Sequence, residues 1–393
     1  MIYPRKLLVK VKNRLKAKEI VVVTGMRRVG KTTLLKMVFD GINSPNKVFL
    51  DIENPVEQKI FEEKDYNNIW ANLKPYGIAN TSKSYLFLDE VQASPSIIKA
   101  VKYLQDHYDV KFFLTGSSSF YLKNLFSESL AGRKIIFEMF PLDFEEFLIF
   151  KGITKEFHIS FKQKQDKKNK IQHERLKKFY EEYLEFGGFP QVVLAESFEQ
   201  KKENLKDIFK SYFEKDVRSL ADFREINVFR DLLLLLLRRV GSKLEISKLS
   251  VEVGAARATV YSYLSFLQGT YMIDLVPLYS KSIDKEVAGA KKVYVCDNGL
   301  LSQFSRVSSG ALLENAVYLN LKQCGKIGYY QKRQGSEVDF ILDDKIALEV
   351  KEKGNESDYL KLSRIAKSLD IKERYVVSKD FAPKRGFIPA SEV

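Results

Sequence analysis

The segment Gly25 to Thr32 (GMRRVGKT) sets two glycines, a lysine and a threonine at the G-x-x-x-x-G-K-T spacing that cradles phosphate. Gly25 and Gly30 permit the backbone turns that aim amide N–H groups at phosphate oxygens, with Met26, Arg27, Arg28 and Val29 forming the loop between them. Lys31 should reach the β- and γ-phosphates, and the Thr32 hydroxyl should ligate Mg²⁺, with Thr33 continuing into the helix. The helix N-terminus adds the positive end of its dipole. Sixty residues on, YLFLDE at 85–90 reads as a buried strand ending in two acids. Asp89 is expected to hold the metal's water shell, and Glu90 to orient or activate the attacking water. FFLTGSS at 112–118 is another strand ending in small polar residues, from which Thr115 or Ser117 could sense the γ-phosphate. The alternative there is an ordinary turn. Arg133 directly precedes the strand-like KIIFE and could supply transition-state charge, to its own chain or to a neighbour. Otherwise it is a surface arginine.

A second set of chemical residues lies in EVDFILDDKIALEVK at 337–351. Val338, Phe340 and Leu342 alternate, as do Ile346, Leu348 and Val350. For both apolar sets to share one face of a hairpin, the loop must be odd, for example Asp343-Asp344-Lys345. That register sets Asp339 opposite Glu349 and Glu337 opposite Lys351. The charged groups then share the other face with Ile341 and Ala347. Such a cluster is costly without a metal or solvent. Hard oxygen ligands at Asp339 and Glu349 suit Mg²⁺ or Mn²⁺. The alternative is a solvated sheet face.

LEISKLSVEVGAARATVYSYLSFLQGTYMIDLV, from Leu244, resembles a winged helix. A short helix, a turn near Gly254-Ala255 and a second helix fit helix-turn-helix spacing. Val260, Leu264 and Leu267 fall on one apolar face of the second helix, which leaves Arg257, Thr259 and Ser262 toward the outside. Lys281, Lys285, Lys291 and Lys292 follow in the candidate wing. The functional reading is docking on duplex DNA; the alternative is a lid or protein-interaction module.

The elements that must position these groups follow a simple order. EIVVVTG, KVFLDIE, YLFLDEV, VKFFLTGS and KIIFEMF are apolar runs alternating with helical periods, which argues a parallel sheet with helices on both faces. Residues 161–178 are polar and basic and read as an exposed insertion or the start of a lid helix. Leu232 to Leu237 is too short to span a membrane and reads as a buried helix between arginines. From Gly310 the pattern is helix, three strands, helix, strand. The chain of 393 residues carries a net charge of +14, which favours an anionic partner, most simply nucleic acid. Two cysteines imply no disulfide framework, and with the three histidines they argue against a zinc site. The start lacks a signal-peptide h-region, and the scarcity of cysteines fits a cytoplasmic location.

GMRRVGKTTLL, YLFLDEVQ, FLTGSSS and LAGRKIIFEMFPLDFEEF occur in that order. Together they resemble the AAA+/STAND-related ATPases of archaea and bacteria, many of which carry a C-terminal restriction-endonuclease-like domain of unknown function. The resemblance covers nearly the whole chain. It implies ATP as ligand and places Arg133 at the arginine-finger position, through which copies of the chain could assemble. The tail is similar to PD-(D/E)xK nucleases, which implies that Lys351 favours an attacking hydroxide and that Glu314 is an added acid. The expectation is an α/β multidomain protein acting on DNA. It has an AAA+-like module at 1–150, a helical lid at 151–240, a winged helix at 241–296 and a nuclease-like domain at 297–393. The alternative is a signalling or scaffold ATPase whose nuclease fold is inactive.

Overall fold

The computed structural model describes residues 3–117, 132–158, 161, 169–218, 225–332 and 335–393. The chain divides into two compact units. The first holds Met1–Phe140 together with Ser211–Ala221 and Gly269–Tyr271; the second holds the rest.

In the first unit, helix α1 (Lys6–Lys12) precedes β1 (Ile20–Thr24), α2 (Lys31–Asp40), β2 (Lys47–Asp51), β3 (Ser84–Asp89), α3 (Ile97–His107), β4 (Val110–Gly116) and β5 (Lys134–Glu138). All five strands coincide with the apolar runs of the sequence. They pair in parallel in the order β2-β3-β4-β1-β5. Every residue of β1 and β4 is buried, as expected for inner strands covered on both faces, whereas β5 at the edge is only half-buried. Helix α3 buries Ile97, Ile98, Val101 and Leu104, spaced to put one apolar stripe on the sheet. These residues join Val22, Leu50, Leu86, Leu88 and Leu114 in one core.

The strand order fixes the chemistry. β4 lies between β1, which leads into the phosphate loop, and β3, which ends at Asp89. The C-terminal ends of these three strands therefore stand side by side, the usual ligand edge of a parallel sheet.

The second unit begins with α4 (Phe144–Phe150), whose start is fixed by a capping box between Asp143 and Glu146. Helices α5 (Lys170–Phe186) and α6 (Phe198–Ser211) follow. Of the basic stretch 161–178, residues 162–168 lie outside the described residues, and the remainder from Lys170 is the first half of α5. The leucine run lies in α7 (Ile226–Arg238), with Leu232, Leu233, Leu236 and Leu237 fully buried. Next come α8 (Ile246–Glu252), α9 (Arg257–Gly269), β6 (Ile273–Val276), α10 (Ile283–Ala288) and β7 (Lys292–Val295). β6 and β7 pair antiparallel, and Lys243 bridges to Lys292 alongside them. The candidate wing is interrupted by α10, because IDKEVA lacks strand alternation.

The tail runs α11 (Asn298–Phe304), α12 (Ser309–Leu321), β8 (Ile327–Gln331), β9 (Glu337–Leu342), β10 (Ile346–Lys351), α13 (Glu356–Ser368), β11 (Glu373–Ser378) and β12 (Phe387–Pro389). Its sheet order is β12-β11-β10-β9-β8. The expected order is present, with β12 as an extra short strand. The hairpin register is also as expected: Leu342 faces Ile346 and Phe340 faces Leu348, across the loop 343–345. The supposed solvated face is not solvated. Ile341 and Ala347 are buried with Leu362, Ala366 and Val376, because α13 covers that side.

Candidate active site

Gly30, with φ 99°, hands the loop to α2. Gly25 tolerates no side chain: a Cβ there would sit 2.1 Å from the Met139 carbonyl oxygen. Arg28 also has a left-handed backbone, with φ 65°. Val29 and Met26 are buried, while Arg28 and Thr33 reach the surface. Lys31 is buried, and its Nζ donates to the carbonyls of Gly25 (2.9 Å) and Met26 (3.1 Å). Burial pulls its pKa down; Glu90 and then Asp216 work against that.

Thr32, Asp89 and Thr115 meet where the strand order predicts. The Thr32 hydroxyl donates to Asp89 Oδ2 at 2.7 Å, and the Thr115 hydroxyl donates to Asp89 Oδ1. Thr115 Oγ1 in turn accepts the Glu90 amide at 2.9 Å. Burial raises the Asp89 pKa, countered by the two threonine hydrogen bonds. A carboxylate that is costly to bury, paired with a hydroxyl oxygen beside it, suits a divalent cation, so Thr32 and Asp89 fit Mg²⁺. Such an ion would supply positive charge to the phosphates.

Glu90 sits in left-handed backbone, φ 54° and ψ 46°. A non-glycine residue held there stores strain of the kind found at functional sites. Burial alone would raise its pKa, but Lys31 and Arg27 hold it below the usual value, so it stays an anion. Gln92 Nε2 donates to its carboxylate at 2.5 Å and to Ser117 Oγ at 3.2 Å. Ser117 Oγ donates to Asp216 Oδ1 at 3.1 Å. Arg27 donates from Nε to the same oxygen at 3.2 Å, and its Nη1 lies 3.3 Å from Glu53 and 3.9 Å from Glu90. Asp216 is buried, and burial raises its pKa to about 6 against the pull of Arg27.

Sequence spacing gave Lys31, Thr32, Asp89, Glu90, Thr115 and Ser117, and the structure brings all six together. It did not give Asp216 or Gln92. Asp216 arrives from a helical turn, Tyr212–Val217, nearly two hundred residues after the loop. Nothing in YFEKDV marks one charged residue as the one that turns inward.

Arg133 stands elsewhere. Ile20 pairs with Lys134 and Thr24 with Glu138, so Arg133 lies at the start of β5, beside the beginning of β1. The phosphate loop begins at the other end of β1, about 16 Å away along five residues of strand. Arg133 donates to Asp106 at 2.7 Å. It cannot serve the nucleotide of its own chain from there.

In the second unit, Glu314, Glu337 and Asp339 come together as expected, but around Lys292. Its Nζ lies 2.5 Å from Glu337, 3.5 Å from Glu314 and 3.7 Å from Asp339. Burial works to lower its pKa, yet the acids raise it above the ordinary lysine value. Lys292 is 3% exposed, so its assignment as a DNA contact is corrected: its ammonium is committed to carboxylates inside the unit. Arg257, Lys281, Lys285 and Lys291 are exposed, and Thr259 is half-buried. Asp339 Oδ2 accepts the Val350 amide at 2.8 Å, and Glu349 pairs with Lys351 at 2.7 Å. Burial raises Glu314 and Glu349 each to about 7, with Asp339 adding to both. Tyr294 donates to Glu314 at 2.7 Å, a partner not anticipated. Among the described residues no three histidine, cysteine, aspartate or glutamate side chains are grouped to hold a metal ion. The expected metal pair, Asp339 and Glu349, is thus divided between a backbone amide and two lysines. No helix among the described residues is long and apolar enough to cross a membrane.

Three family descriptions match the chain: an AAA domain over residues 17–148, a domain of unknown function (DUF8612) over 177–311, and another (DUF4143) over 309–385. The chain is 32% identical over 336 residues to the uncharacterized protein MJ1544 of Methanocaldococcus jannaschii, covering 82% of this chain and 72% of that one. It is 28% identical to an uncharacterized protein of Haemophilus influenzae, over 91% of this chain and 87% of that one. Among solved structures, the Aeropyrum pernix ORC1 protein in complex with DNA aligns with 80% of this chain and 93% of its own, at 11% identity and a TM-score of 0.33. An AAA-type ATPase domain thus contains the loop, the acids of β3 and the hydroxyl of β4, and the chain belongs to the family of MJ1544.

Proposed function

We propose that this protein is an ATPase whose nucleotide cycle acts on DNA. The observation that carries the ATPase part is the hydroxyl–carboxylate chain Thr32–Asp89–Thr115, with the Glu90 amide tied to its end. It sets a cation site and an ionised base side by side at the phosphate edge of the sheet. Lys31 and the loop amides bind the phosphates. Glu90 takes the proton of the attacking water or orients it. Arg133, in this reading, acts only on the nucleotide of a second copy.

The DNA part is supported by α8 and α9 followed by the ribbon of β6 and β7, which fits the winged-helix expectation. Arg257, Lys281, Lys285 and Lys291 are exposed within it. The division into ATPase module, lid, winged helix and nuclease-like tail belongs to the same proposal. DNA that engages those lysines should stimulate ATP turnover. The test is an ATPase assay with single-stranded, duplex and branched DNA, scored in parallel for cleavage with Mg²⁺ and Mn²⁺. ATPase activity unmoved by all three would reject the DNA part.

A specific observation favours a second reading for the tail. The position of Lys292 among Glu314, Glu337 and Asp339 supplies internally the positive charge that a nuclease takes from its metal. The tail is then an inactive nuclease-like fold used for binding, as in the scaffold ATPase alternative.

A further inference from the structure

The terminal phosphate of ATP must lie between the lysine that binds it and the glutamate that directs water at it. In this protein a carboxylate already acts on the cations beside that gap, Lys31 and Arg27. Asp216 ranks next after Glu90 among the opposite charges acting on Lys31, ahead of Asp89. It also takes the Nε hydrogen bond of Arg27, the third residue of the loop. Its Oδ1 is held by Arg27 and Ser117, while its Oδ2 is buried with no hydrogen-bond partner among the described residues. A buried, half-satisfied carboxylate is a strained arrangement. It makes sense if the negative charge is there to hold cations that another anion will claim.

We propose that Asp216 is a built-in stand-in for the γ-phosphate, and that Arg27 is the residue that exchanges one for the other. ATP brings a γ-phosphate that takes Arg27 and repels the Asp216 carboxylate, so Tyr212–Val217 must release. ADP lacks that group and leaves the pair intact. The protein therefore discriminates ATP from ADP through a competition within its own chain, and the ligand class read is a nucleoside triphosphate. The released segment is continuous at Ser211 with α6 and so with the chain of the second unit. The latch presupposes the nucleotide site proposed for Lys31, Thr32 and Asp89.

The test uses the full chain and two ligands, a non-hydrolysable ATP analogue and ADP, titrated by calorimetry. Asp216→Asn keeps the shape and removes the charge. It should tighten the analogue about tenfold and leave ADP within about twofold, since only the former brings the competing charge. Arg27→Met should lose the preference for the analogue. Equal shifts for both ligands, or weaker analogue binding by Asp216→Asn, overturns the latch. Hydrogen exchange on the wild-type chain gives a measurement that no folding defect can confuse. Amides of residues 211–218 should lose protection with the analogue and keep it with ADP; identical protection in the two states also overturns it. If the wild type binds neither ligand, the ATPase reading fails instead.

Discussion

In the proposed site Lys31 binds phosphate and Glu90 directs water, and substitution separates the two roles. Lys31→Ala removes the charge that meets the phosphates, and charge-assisted hydrogen bonds of this kind contribute roughly 1.5–3 kcal/mol each. Nucleotide affinity should fall at least about tenfold, measured by titration with a fluorescent ATP analogue. Glu90→Gln keeps the size and the backbone and leaves Thr32 and Asp89 untouched. Binding should persist while kcat drops on the order of a hundredfold, the usual worth of a general base. Normal turnover by Glu90→Gln would show that another group directs the water. Thr115, by contrast, was not separable on sequence grounds from a plain turn residue: its hydrogen bond to Asp89 exists only because β4 is inserted between β1 and β3.

Among the elements, α9 can be tested through its exposed side, together with the exposed Lys291 just before β7. Its inward side buries Val260, Leu264 and Leu267, as the 3.6-residue period requires, so charge changes on the outer side leave the packing intact. Arg257→Glu combined with Lys291→Glu should weaken DNA binding without lowering the melting temperature. The salt dependence should also flatten, since fewer counterions are released per complex. Lys292 is the wrong partner for such a pair, because reversing it would place a fourth acid among Glu314, Glu337 and Asp339. A folded double variant that binds duplex DNA with undiminished affinity would remove α9 and the ribbon from the contact.

At the scale of the whole molecule, the two charged centres lie in different units, so each should fail without the other. Asp339→Ala should leave ATP turnover unchanged. If Lys292 is the cation of the tail cluster, millimolar Mn²⁺ should not raise the melting temperature of the wild type, and Asp339→Ala should not remove any metal response. A clear Mn²⁺ shift in the wild type that disappears in Asp339→Ala would restore the metal-dependent reading. A net charge of +14 is likewise a property of the whole chain. It predicts association with polyanions that weakens steeply with salt, whichever surface makes the contact.

The sequence by itself determined what is local. The loop geometry of Gly25 to Thr32, the five strands, the buried leucine helix and the 343–345 hairpin all depend on neighbours within a few residues, where periodicity and turn chemistry speak directly. Even the Phe340–Leu348 register followed from alternation, because a slip of one residue would have inverted every apolar side chain. Tertiary structure decided which charges meet across distance. Arg27 with Asp216 and Lys292 with Glu314 and Glu337 join residues far apart in the chain. No periodicity selects one lysine or aspartate from 65 basic and 51 acidic residues. Burial does so, because a charge removed from water must find its opposite, and only the packed elements determine which one lies within reach.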